Sequence, residues 1–180
     1  MNLYNLHAKP STLDHYEYLM ANVPQLIWEK FKNNPEELEK RKDALAKDPQ
    51  YALYYAENII KGPFPEGEDA IATSPGFSYL YASIILEMPW TKGEDAVATS
   101  ARYSYYYASS VLFAVFPKGE EAISKNATYA FRYARDVLHG PFPAGEEAIS
   151  SDENYARRYA EDILNGDFYL DGKLIAERYP

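Results

Sequence analysis

The sequence predicts an all-α protein, a short α-solenoid of helical hairpins that follows an N-terminal helical cap. Two observations predict this fold. A unit of 26 residues repeats five times without insertion or deletion, and its copies, repeats 1 to 5, start at Ala46, Ala72, Ala98, Ser124 and Ser150. Within each copy, apolar residues recur at helical spacing. A fixed period in this range is typical of stacked repeats, in which neighbouring units bury each other's apolar faces.

Each repeat begins with a predicted long helix. Its third position is always a residue that favours a helix N-cap: Asp48, Ser74, Ser100, Asn126 and Asp152. Apolar residues follow at spacings of i, i+4 and i+8, which places them on one helix face. The middle column of this stripe is invariant: Tyr55, Tyr81, Tyr107, Tyr133 and Tyr159. Glycine after the stripe, at Gly62, Gly140 and Gly166, predicts a C-cap there.

A turn and a second, shorter helix complete the predicted hairpin. The turn contains an aromatic residue in every copy, and we expect this column to pack into the core: Phe64, Trp90, Phe116, Phe142 and Phe168. Ala-Ile or Ala-Val pairs then anchor the short helix. Such a hairpin cannot bury its own apolar face, so the stacking of repeats must supply the core.

Residues 1–45 are predicted to form the N-terminal cap. We expect one helix from Ser11 to about Met20, a second from Pro24 to Lys32, and a third that begins near Asn34. Ala44-Leu45 aligns with Ala70-Ile71, so the end of this segment is a degenerate repeat. The cap and the five repeats, residues 46–180, are predicted to form one continuous domain.

The last repeat departs from the pattern after Gly166. Leu174-Ile175 keeps register with Ile149, which favours a short capping helix, whereas Asp171-Gly172 would suit a tight hairpin turn. Terminal repeats are often atypical because one side faces water.

Composition limits the classes of protein. The chain has 180 residues, 47% of them hydrophobic, no cysteine and a formal net charge of -9, so disulfides and thiolate metal sites are excluded. No run approaches the roughly 18 apolar residues of a membrane span, and the first twenty residues lack the pattern of a signal peptide. We therefore expect a cytoplasmic protein that does not engage a membrane.

The copies differ most on the predicted outward columns of the long helix. Repeat 5 is charged at four such columns, whereas repeats 2 and 3 have no charge at any of them. An uncharged, aromatic-rich patch is typical of an interface. The candidate partner-binding residues are Tyr79, Leu80, Ile84, Tyr105, Tyr106 and Phe113. A protein partner or a second copy, as a homodimer, could occupy this face, or the N-terminal cap could cover it.

A second periodic feature is acidic. Glutamate or aspartate pairs recur at the start of the short helix, where they favour the helix dipole. An alternative interpretation is an acidic ladder, Glu94, Asp95, Glu120 and Glu121, that imitates nucleic acid and inhibits a host nucleic-acid-binding or defence enzyme. Direct binding of nucleic acid is disfavoured because the chain has no basic stripe that could neutralise phosphates.

The residues give no sign of catalysis. The three histidines, His7, His15 and His139, have no metal-ligand spacing, and no nucleophile elbow, Walker loop or zinc signature occurs. Paired glutamates at helix starts should both stay ionised and solvated, without the split in pKa that acid–base catalysis requires. We predict a non-enzymatic protein that needs no cofactor.

One segment also suggests a source. The sequence YARDVLHGPFPAGEEAI, Tyr133 to Ile149, resembles short Tyr-Ala/Phe-Pro helical repeats in proteins of tailed bacteriophages and giant viruses. In outline the array also resembles tetratricopeptide or Sel1-type hairpins, which have a longer period. The resemblance implies an α-solenoid and a viral origin, with residence in the host cytoplasm and a host protein as a possible partner. It implies no catalytic residue.

Overall fold

The computed structural model describes Leu19 and residues 21–178. The chain divides into two compact units, residues 1–70 and residues 71–180, which are described separately. The boundary falls one residue before the end of repeat 1. The single continuous domain stays a prediction.

The first unit contains the described part of the cap and most of repeat 1. Its helices are Pro24–Phe31, Pro35–Glu39, Lys42–Leu45 and Pro49–Tyr55, the last of which continues as the π-helix Ala56–Ile60. A 3-10 turn, Pro65–Gly67, then leads into the short helix of repeat 1, Glu68–Ile71, in which the boundary between the units falls. The second and third predicted cap helices are thus confirmed, and the Asn34 side chain accepts a hydrogen bond from the backbone N–H of Glu37. The helix predicted from Ser11 lies outside the described residues.

The second unit holds repeats 2 to 5. Its long helices have an α-helical part: Pro75–Leu80, Ala101–Tyr107, Ala127–Tyr133 and Glu153–Tyr159. Each continues as a π-helix: Tyr81–Leu86, Ala108–Leu112, Ala134–Leu138 and Ala160–Leu164. The short helices are Thr91–Ala98, Pro117–Ser124, and a 3-10 turn, Pro143–Gly145, that leads into Glu146–Ser150. Long helices of successive repeats pack side by side. The all-α repeat fold is confirmed, while the solenoid shape stays a prediction.

The end of each long helix differs from the predicted glycine cap. The left-handed residue is the one before the glycine column, with φ between 51° and 56°: Lys61, Glu87, Phe113, His139 and Asn165. The N–H of the following residue bonds the carbonyl six residues back, as Gly140 does with Ala134 at 3.1 Å. Because Gly62, Gly140 and Gly166 do not have a positive φ, this column does not require glycine, which explains Met88 and Ala114 there.

The chain ends in a β-hairpin, so the favoured capping helix is wrong. Strands β1, Phe168–Leu170, and β2, Lys173–Ala176, pair antiparallel. Between them Asp171 has a φ of 49° and Gly172 a φ of 77°. Two consecutive residues of positive φ form a hairpin turn whose twist matches that of the strands. The turn preference of Asp171-Gly172 therefore decides the structure here, and the alignment of Leu174-Ile175 with the short helices does not. Phe168 keeps its place as an aromatic plug, with its ring 5.1 Å from that of Tyr159.

The invariant tyrosines of repeats 3 to 5 join each of these repeats to the preceding one. All five invariant tyrosines are fully buried, and the hydroxyls of Tyr107, Tyr133 and Tyr159 accept a hydrogen bond from the backbone N–H of the aromatic plug in the preceding repeat. The N···O distance is 3.0 Å from Phe116 to Tyr133 and 2.7 Å from Phe142 to Tyr159. The same hydroxyls donate to the acids of the short helix, Tyr133 to Glu120 and Tyr159 to Glu146, both at 2.9 Å. Each of these hydroxyls thus satisfies a buried N–H and anchors a carboxylate.

A buried glycine in each short helix lies under the aromatic plug. A Cβ atom at Gly119 would lie 2.5 Å from the side chain of Ser104 and 2.6 Å from that of Phe116, and Gly145 would meet Phe142 in the same way. The sequence shows this glycine column, but its reason becomes visible only when the ring is placed. The close approach of ring and helix requires the absence of a side chain.

Candidate interaction surface

The candidate partner-binding residues lie on the long helices of repeats 2 and 3, all within the second unit. The structure separates them into a packed part and an exposed part. Ile84 is 51% exposed and Phe113 is 82% exposed, whereas Tyr79, Leu80 and Tyr106 are half-buried.

Tyr105 was expected to face outward, and this expectation is wrong. The side chain is only 9% exposed, and its hydroxyl donates to Asp136 Oδ2 at 2.7 Å. Leu53 and Phe131, in the same column, are also buried. Tyr105 faces the long helix of repeat 4, where Asp136 lies, and Phe131 faces that of repeat 5, where its ring centroid lies 5.5 Å from that of Tyr155. Tyr79 likewise reaches the next long helix, where its hydroxyl lies 3.2 Å from Oγ of Ser110, the residue equivalent to Asp136.

Five rings form a continuous group, the tyrosine cluster, which consists of Tyr79, Tyr103, Tyr105, Tyr106 and Tyr129. Ring centroids of neighbours are 5.3 to 6.4 Å apart, mostly in tilted arrangements. Such pairs stabilise by about 0.5–1.5 kcal/mol beyond the burial of area. The cluster therefore stabilises the packing of the long helices of repeats 2, 3 and 4 against one another.

Apolar side chains are exposed at the C-terminal ends of these helices. We name them the apolar edge: Ile84, Met88, Phe113 and Val115. Phe113 contributes most, and its backbone has the left-handed conformation, with φ 51° and ψ 35°. The other repeats have Lys61, Glu87, His139 and Asn165 at that position, so the phenylalanine is the apolar exception among five otherwise polar or charged residues.

Arginine side chains border the tyrosine cluster. The guanidinium of Arg102 lies 5.6 Å from the ring centroid of Tyr103 and 5.8 Å from that of Tyr106. Arg132 lies 5.9 Å from the centroid of Tyr129. These are cation–π distances, at which the ring face attracts the cation.

Three of the four arginines on the long helices of repeats 4 and 5 have acidic partners: Arg135, Arg157 and Arg158. Arg135 contacts Asp136 at 2.6 Å, and Arg158 contacts Asp162 at 3.6 Å. The hydrogen bond from Arg135, with help from Tyr105, lowers the pKa of the Asp136 carboxyl. Burial, together with the bond to Asp136, raises the pKa of Tyr105 to about 12.

In each acidic pair of the ladder, the first residue is partly buried and the second faces solvent. Glu94 and Glu120 point toward the core tyrosines: Tyr107 donates to Glu94 at 3.4 Å, and the Glu94 side chain is 16% exposed. The prediction that both acids of a pair stay solvated is therefore wrong for the first member. The first acid is drawn out of solvent by its hydrogen bond to the tyrosine of the next repeat, which lies 13 residues further along the chain.

The second members, Asp95 and Glu121, face solvent but have lysine partners. Lys118 lies 2.9 Å from Asp95 and 3.3 Å from Glu94, and Lys125 lies 2.7 Å from Glu121. The bond to Lys125 lowers the pKa of the Glu121 carboxyl. Lysines thus offset much of the negative charge that a nucleic-acid mimic would need to present.

A cleft of about 220 Å³ brings Ser109, Asp136 and His139 together, the residue types of a hydrolase triad. Each is bound elsewhere: Ser109 Oγ donates to the carbonyl of Tyr106 at 3.4 Å, and Nδ1 of His139 lies 3.0 Å from the carbonyl of Arg135. Since no described hydrogen bond joins any two of the three, the cleft lacks the nucleophile–base pair that catalysis requires.

Comparison with known proteins adds no family. No protein-family model, no curated protein and no solved structure matches the chain. Over the described part of the chain, no group of three or more His, Cys, Asp and Glu residues could hold a metal ion. None of the described helices combines the length and apolarity needed to cross a bilayer.

Proposed function

We propose that the chain is a non-enzymatic interaction module that binds another protein, or a second copy of itself, through the long helices of repeats 2 and 3. The binding surface is the apolar edge, supported by the exposed parts of the tyrosine cluster. The resemblance to phage repeats makes a protein of the host cytoplasm the candidate partner.

The observation that supports this proposal most strongly is Phe113. A phenylalanine at 82% exposure forgoes most of the roughly 1.5–3 kcal/mol that its burial would contribute. Its left-handed backbone adds a cost of about 1 kcal/mol for a residue other than glycine. Folding alone favours a polar or charged residue here, as the four equivalent positions illustrate. Binding gives a reason for the ring.

Photo-cross-linking tests this function. The photoreactive p-benzoylphenylalanine is placed at Phe113, at Glu121 on the acidic ladder, or at Tyr169 on the hairpin, another exposed aromatic residue. Purified protein and extract from the native host are irradiated, and the adducts are identified by mass. We expect discrete adducts from Phe113, either with one host protein or with the chain itself.

Adducts from Glu121 but not from Phe113 would instead support the acidic inhibitor. The absence of specific adducts at all three positions would refute the interaction module. Light scattering separates the two forms of the proposal, because a homodimer of the wild type should become a monomer when Phe113→Asn, the residue of repeat 5, replaces the ring. Tyr106→Glu is a less clean variant, since it also removes a ring from the cluster.

A further inference from the structure

The two arginines at the tyrosine cluster lack acidic partners. Neither Arg102 nor Arg132 has a described carboxylate oxygen within 4.0 Å. The charge of Arg132 lowers the pKa of Asp136 from a greater distance, but that carboxylate already bonds Arg135 and Tyr105. Both guanidinium groups therefore keep donors available for a partner while the rings hold them in place.

The charge of this face contrasts with that of the molecule. The long helices of repeats 2 to 4, with the residue that ends each of them, hold three arginines and two acids: Arg102, Arg132, Arg135, Glu87 and Asp136. Their formal charge is +1, whereas the whole chain has a charge of -9. Since opposite potentials steer partners and select among them, this face suits a partner with negative charge.

From these observations we infer that the occupant of the face is a short acidic, apolar segment of another protein. Its carboxylates pair with Arg102 and Arg132, and a large apolar side chain packs on Phe113 and Ile84. This inference rests on the proposed function and specifies the chemistry of its partner.

Distances along the fold limit the length of such a segment. Arg102 and Phe113 are 11 residues apart on one helix, which corresponds to about 16 Å at 1.5 Å per residue. Arg132 lies on the neighbouring helix, and packed helices are roughly 8–10 Å apart. An extended segment of about five residues, at about 3.3 Å each, spans from arginine to apolar edge. Its acids and its apolar anchor should therefore be about five residues apart.

A second copy fits this surface less well. In the second unit, the large apolar side chains exposed outside the apolar edge are Tyr169 and Leu174 on the hairpin, whereas the acidic ladder lies on the short helices. A copy that binds through another surface would thus have to present acids and apolar anchors from different places, and a copy that binds through the same face about a two-fold axis would bring together two surfaces that each have a formal charge of +1. Nucleic acid fits less well too, because two unpaired arginines supply little neutralisation of phosphates on a chain of charge -9.

The test is selection of binders from a displayed library of random 12-residue peptides on the wild-type chain. We expect enriched peptides with Asp or Glu about five residues from Phe, Leu or Ile. One enriched peptide, labelled with fluorescein, is then titrated by anisotropy. Because charge-assisted pairs should contribute to affinity, the double variant Arg102→Glu/Arg132→Glu should weaken binding by at least about tenfold.

The matched control changes the net charge equally at exposed lysines elsewhere, Lys125→Glu/Lys173→Glu, and should alter affinity less than about twofold. A peptide with its acids changed to lysine should bind the arginine variant better than the wild type. A loss of affinity equal to that of the control would overturn the acidic partner.

Other outcomes distinguish a failure of the acidic-partner inference from a failure of the proposed interaction function. Peptides that lose binding with Phe113→Asn but tolerate the arginine variant would overturn the acidic chemistry and leave the interaction face intact. A failure to enrich any peptide sensitive to Phe113→Asn would count against both. A wild-type dimer that this variant dissociates would assign the face to a second copy, and binding of a labelled poly-dT strand, lost in the arginine variant, would assign it to nucleic acid. Either result would overturn the inference.

Discussion

The hydroxyl of Tyr133 connects repeat 4 to repeat 3, and its removal tests how the stack is held together. In Tyr133→Phe the ring stays and the oxygen is lost. The buried N–H of Phe116, 3.0 Å from that oxygen, then has no partner, and Glu120 loses a bond of 2.9 Å. A buried donor left without a partner costs about 1–3 kcal/mol, so we expect a loss of about 2 kcal/mol in the free energy of unfolding.

For a chain of this size each kcal/mol corresponds to about 2–4 °C in Tm, so calorimetry should show a decrease of about 4–8 °C. The matched control is Tyr129→Phe on the same helix, whose hydroxyl makes no described hydrogen bond and whose loss should change stability by less than about 0.5 kcal/mol. Amide hydrogen exchange gives a local measurement, because the N–H of Phe116 should exchange faster in Tyr133→Phe than the global loss of stability explains.

The reasoning also predicts coupling between the tyrosine and its acid. Glu120→Gln alone and combined with Tyr133→Phe should give losses that are not additive, since both changes remove the same bond. Equal losses of stability in Tyr133→Phe and Tyr129→Phe, or unchanged exchange at Phe116, would refute the role assigned to the hydroxyl.

Three other predictions concern packing and pH. Gly119→Ala should destabilise by about 1–3 kcal/mol in urea unfolding, because its Cβ would clash with the ring above it, whereas Gly140→Ala, with its nearest atom at 3.9 Å, should be nearly neutral. Phe168→Ala should cost about 3–5 kcal/mol while exposed Tyr169→Ala changes little; comparable effects would contradict the plugged hairpin. The pKa of Tyr105, raised to about 12, favours the protonated hydroxyl in the folded chain, so its contribution to stability is full below about pH 10 and decreases as pH rises toward 12. Tyr105→Phe should therefore flatten the fall of the urea midpoint across that range, and an unchanged slope would contradict it.

Sequence reasoning located the helices and the turns well because each column is sampled five times. Helix ends were harder: the glycine at Gly140 suggested a cap, yet the left-handed residue is His139, since the π-helical last turn shifts the end by one residue. Burial at Tyr105 was beyond reach because it depends on how neighbouring long helices face each other. A column that lies outside the apolar stripe of its own helix can still be buried where two neighbouring long helices contact each other.

For the interaction face too, some residues could be predicted from the sequence and others could not. Phe113 and Ile84 could be chosen from the sequence because they interrupt polar columns. The significance of Arg102 could not, since an isolated arginine in a sequence does not reveal whether a carboxylate lies nearby. Only the position of the guanidinium over the ring of Tyr103 shows that tyrosine, rather than an acid, is its neighbour.

The bonds between repeats join residues at fixed separations. Tyr133 is 17 residues from Phe116 and 13 from Glu120, and Tyr105 is 31 residues from Asp136. Deletion or duplication of a whole unit leaves every such separation unchanged, whereas gain of a single residue inside a repeat would shift several of them at once. Arrays of this kind should therefore lengthen or shorten only in whole units, which gives a physical reason why the five copies keep one period and makes the number of repeats, rather than loop length, the natural variable for evolution and for design.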